Sequence, residues 1–240
     1  MVNSPWSPGI VAGLVGALCG GLFGLWAAAF VERWPRGQAP RAAWARRPTL
    51  RRAGGGDRPS RSRWRPAVVV ACPIVGALCV GLTGVGWRAL SVSGLGLVLV
   101  PVVAIDLAHR LIPDLLIGVG AGPAVFGAVA ADPERWWIPL VGAVGGGGFL
   151  LLLWAISPAG MGLGDVKLTA LIGLVTGAHV VGVLVIAFLG GTAVGVVLFA
   201  LRGRRARTIG LPFAPLLAVG AAAMAGAQLS TGIGWDLGLL

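Results

Sequence analysis

The sequence predicts an all-α fold: a polytopic integral membrane bundle of about eight transmembrane helices with one disordered, Arg-rich cytoplasmic loop. Three observations predict it. Hydrophobic residues make up 57% of the 240 and charged residues only 11%, and the mean hydropathy is +0.90, a composition unlike that of soluble domains. The apolar residues form runs of roughly 20, the length that crosses a hydrocarbon core. The charges gather between those runs.

Residues 1–31 hold the first span. Met1 to Gly9 carries no Lys or Arg, and the apolar run behind it continues to Val31. That run is too long for a cleaved signal peptide and lacks a basic leading region, so it reads as a retained helix. Residues 32–66 form the Arg-rich loop, and residues 67–240 a membrane bundle. Within the bundle, apolar runs cover residues 67–87, 89–108, 115–131, 137–156, 166–177, 180–201 and 211–229. The run at 166–177 is the shortest. Trp34, Trp87, Trp136, Trp137 and Trp235 fall near span ends, as interfacial anchors do.

The net charge of +11 needs no nucleic acid. Eleven of the nineteen basic residues lie between Arg33 and Arg65, and Arg202, Arg204, Arg205 and Arg207 form a second cluster. Both lie between apolar runs, where the positive-inside rule places them in the cytoplasm. Strict alternation then puts the breaks at 109–114, 157–165 and 202–210 on the cytoplasmic side and both termini outside. The loop, rich in Arg, Pro and Gly and lacking Val and Ile, cannot build a core. Anionic lipids are its expected partners. Cys19, Cys72 and Cys79 show no CxxC spacing, so neither a zinc site nor a disulfide framework is expected.

Of eight acidic residues, Asp106, Asp114 and Asp165 lie at cytoplasmic ends of apolar runs, where a carboxylate is partly desolvated. Two carboxylates held close in a low-dielectric site do not both ionise readily, so one keeps a proton while its partner stays charged. The ionised one can activate a water, and the protonated one can hydrogen-bond a carbonyl oxygen. Asp106 and Asp165 are the expected pair. Gly160, Gly162 and Gly164 leave room for a substrate backbone and let the helix break before the sixth span. Lys167, the chain's single lysine, is placed to hold Asp165. Asp114, following Pro113, reads as the N-cap of the fourth span. His109 and Arg110 are expected to face lipid head groups.

The stretch Asp106-Leu-Ala-His-Arg-Leu-Ile-Pro113-Asp114, followed by Gly162-Leu-Gly164-Asp165-Val-Lys167-Leu168, resembles the paired motifs of the prepilin peptidases, the type IV leader peptidases of the GxGD class of membrane aspartyl proteases. Gly210-Leu-Pro212-Phe213-Ala214-Pro215 is similar to that family's late Pro-Phe-Gly-Pro segment, with Ala214 where Gly is usual. Phe30-Val31-Glu32-Arg33-Trp34-Pro35 is faintly similar to its early Arg-Leu-Pro segment.

The resemblance implies catalytic roles for Asp106 and Asp165, and supporting positions for Gly162, Gly164, Lys167, Asp114 and Pro113. It implies no cofactor and no metal. It also implies prepilin or pseudopilin substrates cut at a short basic leader, a place in the bacterial inner membrane with the active site facing the cytoplasm, and contact with pilus-assembly or secretion proteins. Bifunctional members of the family carry a cysteine tetrad in the first cytoplasmic loop, associated with zinc and N-methylation. Residues 32–66 contain no cysteine, which points to the shorter form without the methyltransferase domain. The competing reading is a small proton-coupled transporter using intramembrane carboxylates.

Overall fold

The computed structural model describes residues 8–33, 64–83, 86–158, 160–203 and 211–231. These residues form eight α-helices: α1 (Pro8–Arg33), α2 (Trp64–Thr83), α3 (Trp87–His109), α4 (Asp114–Ala131), α5 (Trp137–Ile156), α6 (Leu163–Thr176), α7 (Val180–Arg202) and α8 (Ala214–Thr231). One-turn 3₁₀ helices at Pro133–Arg135 and Gly177–His179 join α4 to α5 and α6 to α7. The expected disordered loop, all but the ends of residues 32–66, lies outside the described residues, as does most of the second Arg cluster.

Among the described residues, six stretches are long and apolar enough to cross a bilayer: Ile10–Val31, Pro66–Thr83, Trp87–His109, Asp114–Ala131, Trp137–Ile156 and Leu163–Arg202. The last is a single run of 40 residues, broken by Gly177 at φ 56° into α6 and α7. The expected count of eight spans is therefore not confirmed: the described residues form eight helices, but only six stretches of spanning length. α6 has 14 residues, about 21 Å of helix against a hydrocarbon layer of about 30 Å, and the apolar part of α8 is Ala214–Ala227. The outward faces carry large apolar side chains, Leu22 at 71% exposure and Val144 at 73% among them. A surface of that kind is stable only against lipid, and the chain is an integral membrane protein.

Hydrophobic burial does not drive helices together in lipid, so close backbone approach must. Gly16 of α1 faces the carbonyl of Gly76 on α2, and Gly142 of α5 faces Gly173 on α6, with no space for a Cβ at any of the four. Between these hairpins a core of fully buried Val98, Val102, Ile105, Leu116, Leu150, Leu168, Ile172 and Leu217 ties α3, α4, α5, α6 and α8 into one unit. Ile105 directly precedes Asp106, and Leu168 lies three residues beyond Asp165. The helices that carry the carboxylates are thus anchored in the buried core of the bundle.

Candidate active site

Asp106 lies on the last turn of α3 and is 5% exposed. The helix stops just beyond it because Arg110 adopts a left-handed conformation (φ 54°, ψ 43°), which turns its N–H back to the Asp106 carbonyl at 2.8 Å. The Asp106 side chain meets a different part of the fold. Its Oδ2 accepts a hydrogen bond from the backbone N–H of Ala214 at 3.1 Å, in a buried setting. Ala214 opens α8, where the first N–H groups have no partner within the helix. The carboxylate satisfies one of them, at the end where the helix dipole favours negative charge. The Phe213 carbonyl just before it accepts from Leu216 and Leu217, both at 3.1 Å. The Phe213 ring packs against Phe188 of α7 at 5.5 Å between centroids.

Asp165 occupies the corresponding place on α6. The helix begins at Leu163, three residues ahead of the run expected from 166, with Gly162 as its cap. The Asp165 N–H donates to the Gly162 carbonyl at 3.1 Å. Asp165 is half-buried and close enough to Asp106 for the two charges to act on each other. The Arg110 guanidinium, expected to face head groups, also acts electrostatically on Asp106. Two carboxylates thereby act on each other from the last turn of α3 and the first turn of α6, Asp106 with one oxygen on the helix-terminal N–H of Ala214.

Two supporting residues have partners other than those expected. Lys167 does not hold Asp165: its Nζ donates to Asp114 Oδ1 at 2.7 Å. Asp114 is the first residue of α4, and buried Pro113 takes the capping position expected of Asp114. Gly164 does not stand open to a substrate. A Cβ there would lie 2.8 Å from the Cβ of Ile112, so the space beside it belongs to the α3–α4 connection. A Cβ at Gly162 would come 3.4 Å from Asp165 Oδ2, which leaves Gly162 as the glycine of this segment that lies against the carboxylate. Sequence reasoning missed the contacts of Ala214 and Ile112. Both stood inside quoted segments, but one acts through its backbone and the other is an ordinary aliphatic residue.

Residues 93–201 match the family model described as the type IV leader peptidase family. The prepilin leader peptidase/N-methyltransferase of Bacillus subtilis is 36% identical over 129 residues, which cover 51% of this chain and 49% of that protein. The protein of the same name from Xanthomonas campestris is 29% identical over 164 residues, 64% of this chain and 55% of that one. Its namesake from Burkholderia pseudomallei is 33% identical over 168 residues, 66% and 53%. The chain spans about half the length of these curated relatives. No solved structure matches it.

Proposed function

From the match of residues 93–201 to the type IV leader peptidase family model, we propose that this membrane protein is an aspartic endopeptidase that removes the short basic leader from type IV prepilin-like or pseudopilin precursors. The observation that carries the reading is the placing of Asp106 on the last turn of α3 and of Asp165 on the first turn of α6, where Gly164 packs against Ile112 of the connection that follows α3. One carboxylate, ionised, takes a proton from a water as its oxygen attacks the scissile carbonyl carbon. The other, protonated, donates its proton to the carbonyl oxygen, giving a neutral tetrahedral intermediate. Collapse of that intermediate returns a proton to the dyad and passes one to the leaving amine. The backbone donor at Ala214 fixes the orientation of the Asp106 carboxylate without competing for the shared proton.

The same reading places the protein in the bacterial inner membrane with its site at the cytoplasmic face, because both Arg clusters then obey the positive-inside rule. Prepilin or pseudopilin precursors are the substrates, anionic lipids meet the Arg-rich loop, and pilus-assembly or secretion proteins are its further partners. The relatives are named for a second activity, N-methylation. With no cysteine in residues 32–66, the proposal extends to the peptidase alone. The transporter reading finds no support, since the two carboxylates lie in the last turn of α3 and the first turn of α6 rather than at mid-span.

The test is cleavage of a prepilin, carrying its basic leader and apolar helix, co-reconstituted with wild type, Asp106→Asn or Asp165→Asn and read by N-terminal sequencing of the product. Wild type should cut at one bond and neither folded variant should cut. A variant that processes at the wild-type rate removes that residue from the dyad, and a folded wild type inert towards several prepilins overturns the peptidase.

A further inference from the structure

We propose that the Lys167–Asp114 ion pair is a positioning latch that sets the rotation of α6 and so aims Asp165 at Asp106. This rests on the endopeptidase reading above and assigns two further residues to the same reaction.

The pair joins segments 53 residues apart in the chain, with Lys167 Nζ 2.7 Å from Asp114 Oδ1. Each partner is tied to one aspartate of the dyad. Lys167 follows Asp165 by two residues on α6, and Asp114 opens α4 directly after the connection that leaves Asp106. On a helix turning about 100° per residue, positions two apart point roughly 200° apart. Holding Lys167 on the α4 side therefore turns Asp165 to the far side of α6. This is also why the lysine meets Asp114 and not its near neighbour in sequence. The same two segments touch again at Gly164 and Ile112, and fully buried Leu116 and Leu168 share the core beneath them. The Gly164 contact sets how closely the segments approach. Rotation needs a second point of attachment, and the ion pair supplies it.

Lys167 is 49% and Asp114 73% exposed, so the pair adds little to overall stability. Its effect falls on the alignment of reacting groups, to which rate is far more sensitive than folding is.

The experiment compares Lys167→Gln, Asp114→Asn, their double variant and the charge swap (Lys167→Asp with Asp114→Lys), in liposomes with prepilin. Each single variant should lower kcat by about fivefold, the factor matching the upper range for an exposed pair, with KM held within roughly twofold. The double variant should fall no further than the singles, and the swap should recover at least half of the loss. Additive losses, or singles with wild-type kcat, overturn the latch. A change in the pH profile in Lys167→Gln but not Asp114→Asn also overturns it, by showing the lysine acting directly on the dyad. Amide hydrogen exchange supplies a readout that needs no cleavage. Either single variant should quicken exchange in residues 163–168 and 112–117 together, and quickening confined to the mutated segment refutes the coupling. Inert wild type with coupled exchange would sink the peptidase and leave the latch standing, so the two failures are distinct.

Discussion

Asp106 and Ala214, 108 residues apart in sequence, are joined by one hydrogen bond from a backbone N–H to a carboxylate oxygen. The bond makes α8 part of the candidate site without placing any functional side chain there. It also means that the late Pro212-Phe213-Ala214 segment acts through its main chain.

Replacing Ala214 by Pro tests that bond. Proline is well tolerated as the first residue of a helix, so α8 should persist while its N–H is lost. A hydrogen bond to a charged group is worth about 1.5–3 kcal/mol, and cleavage should fall by roughly ten- to a hundredfold with helix content by circular dichroism unchanged. Retention of full activity would separate α8 from the chemistry.

Gly164 should reject a methyl group. Gly164→Ala places a Cβ 2.8 Å from that of Ile112, an overpacking that costs about 1–3 kcal/mol and displaces the first turn of α6. Cleavage should drop, and Ile112→Gly in the same chain should restore it by removing the opposing Cβ. Loss without restoration would mean that Gly164 serves the substrate and not the packing.

Arg110 combines two opposed effects. Its left-handed backbone (φ 54°) costs an L-residue about 1 kcal/mol that glycine avoids. Arg110→Gly should therefore raise thermal stability in detergent. It should also slow cleavage, because a cation acting on Asp106 is lost. Arg110→Lys should keep most of the activity and none of the stability gain. Parallel changes in stability and rate across the two variants would contradict this division.

Gly173→Val should damage folding before function. A branched side chain there meets the Gly142 backbone of α5, so the α5–α6 hairpin has to open. The thermal midpoint should fall, and the surviving folded fraction should retain its specific activity. An unchanged midpoint would show that the two backbones do not need to approach so closely.

Much of this arrangement was legible in the letters of the chain. Apolar runs of bilayer length gave the helices, and two aspartates at the ends of such runs stood out because a carboxylate there needs a reason. The boundaries were less legible: Leu163 and Gly164 extend α6 forward because Gly162 caps it, while Pro212 and Phe213 delay α8 until Ala214. The partner of Lys167 was hidden for a different reason. Asp165 is near in sequence but about 200° around the helix, and only the packing of α4 on α6 brings Asp114 within reach. The bond from Ala214 had no signal at all, because every residue except proline carries the same N–H.

The length of α6 has a consequence for the solvent. Fourteen residues leave roughly 9 Å of a 30 Å hydrocarbon layer unspanned. Thinning of the bilayer is one way such a mismatch is met, and on the endopeptidase reading a layer thinned around α6 shortens the path of water to Asp165. Peptide hydrolysis consumes one water per bond cut. On that reading, the helix that carries the aspartate, by being short, also serves the supply of that reactant.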